Sequence, residues 1–401
     1  MFEEYAKFID EGTLRELEIV ARELKGIRVL HVNSTKLGGG VAEILYRMVP
    51  LMNELGIETH WEVIKGDVEF FKVTKKIHNL LHMSGRERLE HEDVITYMKY
   101  TYENVSFVDT DPYDVVFIHD PQPLGLIVKK KKNQKWIWRC HIDISTPDEE
   151  TWKFLEMFVN GYDASIFHIP EFVREGVSIP AFVIPPSIDP LHEKNKDLKE
   201  DYIRYVLEKH GIDPHRPIIV QVSRFDRLKD PIGVIETYRI VKKRYDCQLV
   251  LAGSYASDDP EGEEVYKDVI EAKGNDPDIF VLNLPPNSHM EINAIQRGAT
   301  VIIQKSLREG FGLVVSEAMW KYKPVIGSNI GGIRRQIIHG VTGYLINSIE
   351  GAAFRIKLLL ANDEQRMRMG ISAHERVRHS FLITRHLKDY LLVIHRLLRG
   401  Q

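Results

Sequence analysis

The chain alternates short apolar runs, rich in β-branched residues, with stretches of helical spacing, and this alternation occurs in two long series. The runs at 27–32, 59–64 and 115–118 begin the first series, and those at 218–222 and 248–252 begin the second. Strands that alternate with helices through short connections form parallel sheets with helices on both faces. The sequence therefore predicts an α/β fold of two Rossmann-like, doubly wound parallel-sheet domains that face a cleft.

A proline-rich segment separates the two series. Residues 185–190 read Pro-Pro-Ser-Ile-Asp-Pro, and a charged segment at 193–200 follows. Proline lacks the N–H that a helix interior or a central strand needs, so neither element continues through this segment. A length of 401 residues also suits two domains. We expect one domain at 1–188, a second at 189–380 and a final amphipathic helix at 381–401, with domain closure about the prolines.

Composition argues against several classes of protein. A net charge of -4, with 28% charged residues, does not suit a general nucleic-acid binder. Cys140 and Cys247 lie far apart within apolar runs, which indicates neither a disulfide framework nor a zinc site. No apolar run approaches the roughly 20 residues that a bilayer span requires, and residues 1–25 lack a secretory pattern. We expect a cytoplasmic protein with no nucleic-acid or membrane partner.

The stretch at 308–319 joins a strand end, a glycine turn and a helix start. An apolar run at 300–303 precedes it, and apolar residues at helical spacing follow Gly312. A helix N-terminus offers unpaired N–H groups and a positive dipole, which suit an anion or sugar hydroxyls. Glu309 and Glu317 bracket the turn, and Glu317 falls little more than one turn into the helix. Spacing alone leaves open a plain helix whose acidic first turn favours the dipole.

A glycine loop follows the first strand of the chain. Gly38, Gly39 and Gly40 stand between the run at 27–32 and a helical pattern. Glycine lets backbone N–H groups approach a phosphate closely. The loop matches neither the dinucleotide fingerprint nor the Walker sequence, so a tight turn remains an alternative interpretation.

The first turn of the second series carries two cations five residues apart. Arg224 can contact two oxygens of one phosphate and Lys229 adds a point charge, an arrangement that suits a diphosphate. Ordinary surface cations beside Asp226 and Asp230 are the alternative. Arg227, between the two, is either unrelated to the site or a supporting charge.

Polar residues follow a buried strand of the first series. Asp120 and Gln122 come just after the run at 115–118. Open α/β sheets bind ligands beyond the carboxyl ends of their strands, so both residues are candidates for binding an acceptor. The alternative for Asp120 is that it caps a helix after Pro121.

A histidine stands at the end of the next strand. His141 follows the run at 136–140, at the same sheet edge as the end of the preceding strand. A lone histidine is usually structural, but this position lies where ligands bind. His119 and His168 are the rival candidates.

The residues at 308–319 resemble the E-x7-E motif of the retaining GT-B glycosyltransferases, in particular glycosyltransferase family 4. The match is strong within the second series and extends more weakly over nearly the whole chain. It implies the GT-B architecture, in which the last helix crosses back to the first domain. The matching residues are Glu309, Gly310, Phe311, Gly312 and Glu317, followed by Pro324-Val325-Ile326, Gly331-Gly332 and Gly340-Val341-Thr342-Gly343-Tyr344-Leu345.

The resemblance implies a role for each candidate. In this family the basic pair and the glycine loop bind the donor diphosphate, the second glutamate binds the ribose, and the first glutamate with the glycine turn binds the sugar. His141 is the match for the histidine beside the reacting carbon. The implied donor-site residues are Gly38, Gly39, Gly40, Arg224, Lys229, Leu284, Glu309, Gly310, Phe311, Gly312, Leu313 and Glu317. The implied catalytic residues are His141, Arg224, Lys229 and Glu309, and the implied acceptor residues are Asp120 and Gln122.

The resemblance is closest to members that transfer glucose from a nucleotide-diphosphate glucose to free glucose, reversibly, giving trehalose and a nucleoside diphosphate. It implies retention of configuration and small-molecule partners only, with no covalently bound cofactor, and it leaves room for a homodimer. A trehalose phosphorylase of the same fold and a family 4 hexosyltransferase with another acceptor are alternatives. A nucleotide-sugar epimerase and a non-catalytic sugar sensor also stay open.

A second acidic pair resembles the D-x-D motif of metal-dependent GT-A transferases. Asp109 and Asp111 have that spacing, but they precede a strand instead of following one, which favours a turn. We assign no metal to them, and the site pattern tolerates Mg²⁺ without requiring it. The basic run at 129–132 indicates a solvated connection, because no aromatic residues suited to base stacking accompany it.

Overall fold

The computed structural model describes residues 2–36, 39–82, 87–254 and 260–400. The chain forms two compact units. Unit 1 comprises Met1–Ser187 with Ile383–Gln401, and unit 2 comprises Ile188–Leu382.

The strands, in chain order, are β1 (Arg28–Asn33), β2 (Glu58–Val63), β3 (Val115–His119), β4 (Lys135–Arg139), β5 (Ala164–Phe167), β6 (Ala181–Val183), β7 (Ile218–Val222), β8 (Gln248–Gly253), β9 (Ile279–Asn283), β10 (Val301–Gln304), β11 (Val325–Ser328) and β12 (Gly343–Ile346). The α-helices are α1 (Glu11–Glu23), α2 (Gly39–Glu54), α3 (Val68–His82), α4 (His91–Phe107), α5 (Glu149–Val159), α6 (Glu200–Lys209), α7 (Pro231–Lys242), α8 (Pro260–Lys273), α9 (His289–Gly298), α10 (Leu313–Trp320), α11 (Ile333–Gln336), α12 (Ile349–Ala361), α13 (Asp363–Ser380) and α14 (Ile383–Arg399). Short 3-10 helices span Phe2–Phe8, Leu124–Lys129, Pro170–Phe172 and Arg227–Lys229.

Unit 1 contains a parallel sheet with the strand order β2-β1-β3-β4-β5-β6. Every residue of β3 is buried, which is typical of a parallel strand covered by helices on both faces. The core includes Trp136, Trp138 and Phe167, all fully buried. Because β1 lies between β2 and β3, the strand order reverses there, and ligands bind at such switch points in open α/β sheets.

The last helix, α14, packs on unit 1. Tyr390 stacks on Phe117 of β3, with ring centroids 5.0 Å apart and planes 13° from parallel. Arg385 donates through Nη2 to the Pro185 carbonyl oxygen at 2.7 Å, and the Ser187 hydroxyl lies 2.9 Å from Nδ1 of His386. These contacts complete the hydrophobic and polar interior of unit 1 with residues from the end of the sequence.

Unit 2 contains a second parallel sheet, with the order β12-β11-β10-β7-β8-β9. Its strand order reverses between β7 and β10. At the same edge the ends of β7 and β8 approach closely, since a Cβ on Gly253 would lie 1.7 Å from the Ser223 carbonyl oxygen. The prediction of two doubly wound parallel sheets is therefore confirmed.

The sequence predicted several strands closely, but it did not predict α6, α9, α11, α12 or α13. The boundaries of β7 agree with the predicted run at 218–222, and β3 extends the predicted run at 115–118 by one residue. The charged segment after the prolines contains more structure than expected, because α6 begins at its end and buries Ile203, Val206 and Leu207. Helix α6 was not predicted because its apolar stripe is short and lies among charged residues.

Candidate active site

Lys229 and Glu309 meet at the switch point of unit 2. Lys229 ends the short 3-10 helix after β7, and Glu309 lies on the loop after β10. The Lys229 Nζ lies 2.7 Å from Glu309 Oε2, and the side chains are only 17% and 13% exposed. The Ser306 hydroxyl also donates to Glu309 Oε2, at 3.3 Å. The structure thus joins two residues that are 80 positions apart, both of which were predicted site residues.

A second ion pair lies beside the first. Asp230 adopts a left-handed backbone conformation, with φ of 46°, and its Oδ1 accepts from the Gly233 N–H at the start of α7. Its Oδ2 pairs with the buried ammonium of Lys305, the residue just after β10. Because Lys305 balances the charge of Asp230, Lys229 is left to Glu309. No local sequence pattern marks Lys305 as a site residue; it reaches Asp230 because β10 pairs with β7 in the sheet.

The cations of the β7 turn differ in how strongly they are held. Arg227 forms an ion pair with Glu264 of α8 at 2.8 Å. The Arg224 side chain is 70% exposed and approaches Asp226 only to 3.6 Å. Arg227 is therefore bound to a neighbouring helix, whereas the Arg224 guanidinium remains accessible to a ligand.

The Glu309–Gly312 loop is held by glycines and by a glutamine. Gly331 has a φ of 41°, and a Cβ there would lie 1.9 Å from the Glu309 carbonyl oxygen. The Gly332 N–H donates to the Gly310 carbonyl oxygen at 3.0 Å. Gln336 donates through Nε2 to the Phe311 carbonyl oxygen at 2.6 Å. The predicted Gly-Gly pair is thus a packing requirement of the loop, and Gln336 is a supporting residue that the sequence did not reveal.

Helix α10 begins at Leu313, with Gly312 as its left-handed N-cap. This confirms the predicted strand, turn and helix. Glu317 is the fifth residue of the helix and only 4% exposed. Lys321 follows one turn later and donates to the Glu317 carbonyl oxygen at 3.0 Å and to Asn195 Oδ1 at 3.1 Å. Burial lowers the pKa of Lys321 to about 7, and the charge of Glu317 opposes that shift.

The remaining candidate in unit 2 is held through its backbone. Leu284 follows β9, is buried, and its N–H donates to the Gly253 carbonyl oxygen at 2.7 Å. The loops after β7, β8 and β9 therefore pack side by side at one edge of the sheet.

In unit 1, Asp120 occupies a strained position at the end of β3. Its φ is 63°, in the left-handed region that residues other than glycine rarely adopt. Its Oδ1 accepts from the backbone N–H of His141 at 2.7 Å. Burial raises the pKa of Asp120 to about 7, while that N–H and the charge of Arg139 act in the opposite direction. The alternative role of Asp120 as a helix cap is wrong. The next helical segment begins only at Leu124, and the Asp120 carboxylate accepts from the His141 N–H.

Gln122 lies two residues beyond Asp120 and has spare hydrogen-bonding capacity. Its Oε1 is buried and has no hydrogen-bond partner among the described residues. A buried polar atom without a partner is costly, so this oxygen suits a ligand hydroxyl.

The three candidate histidines belong to one cluster. His141 Nε2 lies 3.0 Å from His119 Nδ1, and His141 Nδ1 lies 3.3 Å from His168 Nε2. His31 of β1 extends the cluster, with its Nδ1 2.9 Å from His119 Nε2. Burial lowers the pKa of His119, His141 and His168 well below the usual value, and the charge of Arg139 adds to the effect. His31 was not predicted, because a histidine within an apolar strand carries no local sign of its neighbours.

The structure also places the glycine loop and the acidic pair that the sequence singled out. Gly39 and Gly40 are the first two residues of α2 and not part of a loop before it, so the helix begins two residues earlier than predicted, whereas Gly38 lies outside the described residues. Asp111 is paired with Lys131 at 2.7 Å, and its N–H donates to Asp109 Oδ1, as in a turn. Within the ranges that the structure describes, no three His, Cys, Asp or Glu side chains are grouped to hold a metal ion. None of the described helices combines the length and apolar character that would let it cross a membrane.

Comparison with known proteins identifies relatives of both units. Residues 31–174 match the model for the trehalose synthase N-terminal domain, and residues 203–376 match that for glycosyl transferases group 1. A trehalose synthase from Pyrococcus horikoshii is 46% identical over 98% of this chain and 96% of its own length. A trehalose phosphorylase from Pleurotus pulmonarius is 30% identical, over 86% of this chain and 53% of its own length.

A solved structure from E. coli, described as trehalose-6-phosphate bound with UDP-2-fluoro glucose, has the same fold. It superposes with a TM-score of 0.75 at 14% sequence identity, over 93% of this chain and 99% of that chain. At that identity the likeness concerns the fold alone.

Proposed function

The chain belongs to the trehalose synthase family of GT-B glycosyltransferases, and we propose on this basis that it transfers glucose from a nucleotide-diphosphate glucose to free glucose. The products would be trehalose and a nucleoside diphosphate, in a reversible reaction. A nucleotide-sugar donor fits the E. coli structure of the same fold, which holds a UDP-sugar analogue. We further propose that the enzyme works in the cytoplasm, where its two buried, free cysteines would stay reduced.

The observation that carries the proposal is the group of charges at the switch point of unit 2. In glycosyl transfer the bond from the anomeric carbon to phosphate breaks, and negative charge gathers on the departing diphosphate. Arg224 would contact two phosphate oxygens through its accessible guanidinium, and Lys229 would add its charge from a mostly buried position. Preorganised charges of this kind act most strongly where charge develops in the transition state.

Glu309 would change partners when the donor binds. Its carboxylate holds Lys229 in the structure, and a diphosphate would compete for that ammonium. Glu309 and the N–H groups of Gly310–Gly312 would then bind the glucose hydroxyls, with Phe311 and Leu313 beside them. Glu317 would bind the ribose, and the backbone at Leu284 would contact the base. We propose that Gly39 and Gly40, at the N-terminus of α2, bind phosphate together with Gly38.

The acceptor glucose is uncharged and would bind to unit 1. The Asp120 carboxylate can accept a hydrogen bond from a sugar hydroxyl, and Gln122 Oε1 has the spare hydrogen-bonding capacity described above. His141 would contact a sugar hydroxyl near the reacting carbon. We propose retention of configuration through attack on the same face that the diphosphate leaves, as the resemblance to the retaining GT-B glycosyltransferases implies; no carboxylate is assigned as a nucleophile.

A substrate screen tests the proposal. The full chain is incubated with UDP-, ADP- or GDP-glucose, with and without glucose, and nucleoside diphosphate and disaccharide are measured. We expect glucose-dependent release of nucleoside diphosphate and a non-reducing disaccharide whose anomeric configuration NMR identifies as that of trehalose. Trehalose with inorganic phosphate is the control for a phosphorylase. If none of the three donors releases nucleoside diphosphate in the presence of glucose, the proposed function is wrong.

A further inference from the structure

The loop after β3 contains both candidate acceptor residues and two prolines. Asp120 begins this loop, and Gln122 lies between Pro121 and Pro123. A proline fixes its own φ and disfavours the helical region for the residue before it, so the backbone of Gln122 has few conformations available. Side chains bind a ligand most effectively when the backbone that presents them is held in place.

One buried hydroxyl contacts the backbone on both sides of Gln122. Tyr97 of α4 donates through its hydroxyl to the Pro121 carbonyl oxygen at 2.7 Å. The same hydroxyl accepts from the Gly125 N–H at 3.3 Å. The Tyr97 side chain is fully buried, so water does not compete for either hydrogen bond. Tyr97 therefore links the backbone before Gln122 with the backbone after it.

Helix α4 lies close enough to make this contact because residue 125 is a glycine. A Cβ on Gly125 would lie 2.6 Å from Cγ2 of Thr101 and 2.8 Å from its hydroxyl oxygen. Thr101 lies on α4 one turn after Tyr97. A larger residue at 125 would push this end of the loop away from the helix and from the Tyr97 hydroxyl.

Two further buried aromatic side chains contact the same loop. The indole N–H of Trp138 donates to the Asp120 carbonyl oxygen at 3.2 Å, and the Tyr162 hydroxyl donates to the Leu124 carbonyl oxygen at 2.6 Å. Trp138 and Tyr162 each contact one point of the loop, whereas Tyr97 contacts two. Buried backbone groups need such partners, so the three aromatic side chains together determine the conformation of the loop.

We propose that Tyr97 is a positioning residue that directs Gln122 toward the acceptor sugar. This inference rests on the proposed function, which assigns Gln122 to the acceptor. Oε1 of Gln122 is buried and has no hydrogen-bond partner among the described residues, so the backbone that carries it decides which sugar hydroxyl it accepts from. Tyr97 acts on the sugar only through the loop, since its hydroxyl is engaged with backbone groups.

Two variants each remove one hydroxyl from α4. Tyr97→Phe leaves the Gly125 N–H without its partner and keeps the aromatic ring in the core. Tyr100→Phe is the matched control, because Tyr100 is also buried but its hydroxyl hydrogen-bonds to Asp67, just before α3. We expect both variants to fold, since each keeps its ring.

Hydrogen exchange of the full chain, without substrate, tests the contact between Tyr97 and the loop. We expect the Gly125 amide to exchange about fivefold faster in Tyr97→Phe, the effect of losing one ordinary hydrogen bond. Tyr100→Phe should leave the exchange of this amide unchanged. NMR measures the amide directly, and equal protection of Gly125 in the two variants overturns the inference.

Steady-state kinetics test the consequence for the sugar. We expect Tyr97→Phe to raise the KM for glucose about threefold, less than the loss of a whole hydrogen bond to the sugar, while the KM for the nucleotide sugar stays unchanged. Tyr100→Phe should change neither constant. An unchanged KM for glucose in Tyr97→Phe overturns the inference.

A double variant separates positioning from general destabilisation. If Tyr97 acts through Gln122, then adding Tyr97→Phe to Gln122→Leu should not raise the KM for glucose further. Destabilisation of the whole domain would multiply the two single effects, and that result also overturns the inference.

The exchange measurement keeps this inference distinct from the proposed function. Faster exchange at Gly125 in Tyr97→Phe supports the positioning contact even if the unsubstituted protein makes no trehalose, a result that refutes only the proposed function. Trehalose synthesis together with unchanged protection of Gly125 in Tyr97→Phe refutes only this inference.

Discussion

Each sheet reverses its strand order beside its own first strand, β1 or β7, yet the two switch points contain different chemistry. In unit 2 the edge holds compensated charges, Lys229 with Glu309 and Lys305 with Asp230. In unit 1 the edge holds neutral imidazoles and Asp120, whose pKa burial raises to about 7. Open α/β sheets bind ligands at such switch points, and the side chains there determine which ligand charge suits each edge. A charged edge suits a diphosphate, and a nearly neutral edge suits a sugar.

Acid should affect unit 1 most. Burial lowers the pKa of His31, His119, His141 and His168 below the value of unfolded histidine, near 6.5. Below that pH the unfolded chain binds more protons, so the free energy of unfolding falls as pH falls, by up to about 1.4 kcal/mol per pH unit for each histidine.

Denaturant unfolding at pH 7.0 and pH 5.5 measures this loss. Four of the five tryptophans, Trp61, Trp136, Trp138 and Trp152, belong to unit 1, so tryptophan fluorescence mainly follows that unit. His31→Phe should reduce the pH dependence, because it removes one of the four groups. An equal midpoint at both pH values would contradict the lowered pKa values of these four histidines.

Removing a charge from unit 2 should have the next largest effect. In Lys229→Met we expect kcat to fall by about 10² to 10³, as when one preorganised donor to a developing charge is lost. The matched control is Arg227→Met, whose cation is paired with Glu264 on α8 and should be nearly silent. Equal losses in the two variants would show that the overall positive charge matters and the switch-point position does not.

The ribose contact should be worth less than the phosphate contact. In Glu317→Gln we expect the affinity for the nucleotide sugar to fall by roughly tenfold, since a hydrogen bond to a charged group is worth about 1.5 to 3 kcal/mol. The KM for glucose should stay unchanged. Isothermal titration with the nucleoside diphosphate measures the first effect, and unchanged affinity would remove the assigned role of Glu317.

A neutral contact in unit 1 should have the smallest effect. In Gln122→Leu we expect the KM for glucose to rise about fivefold, close to the 1 kcal/mol of an ordinary hydrogen bond. The KM for the donor should not change, because the charged diphosphate of the donor is proposed to bind unit 2. Steady-state kinetics with each substrate varied in turn test this separation, and a rise in the donor KM alone would reverse the assignment.

The sequence predicted what depends on local pattern. Short runs of β-branched residues are sufficient to locate β3 and β7, and a glycine turn between apolar segments is sufficient to locate the start of α10. Residues that act through strand order left no such signal. Lys305 reaches Asp230 because β10 lies beside β7, and His31 reaches His119 because β1 lies beside β3.

Helix α14 gives the two units different histories during synthesis. Unit 2 is continuous in sequence, so all of its sheet is available once residue 382 has been made. Unit 1 is completed later, because two of its packing residues are translated after the whole of unit 2. Tyr390 covers Phe117, and Arg385 donates to the Pro185 carbonyl oxygen. Until then Phe117 and the surfaces of α1 and α2 that α14 covers are exposed in the nascent chain, and chaperones that recognise exposed apolar surface have their best opportunity to bind.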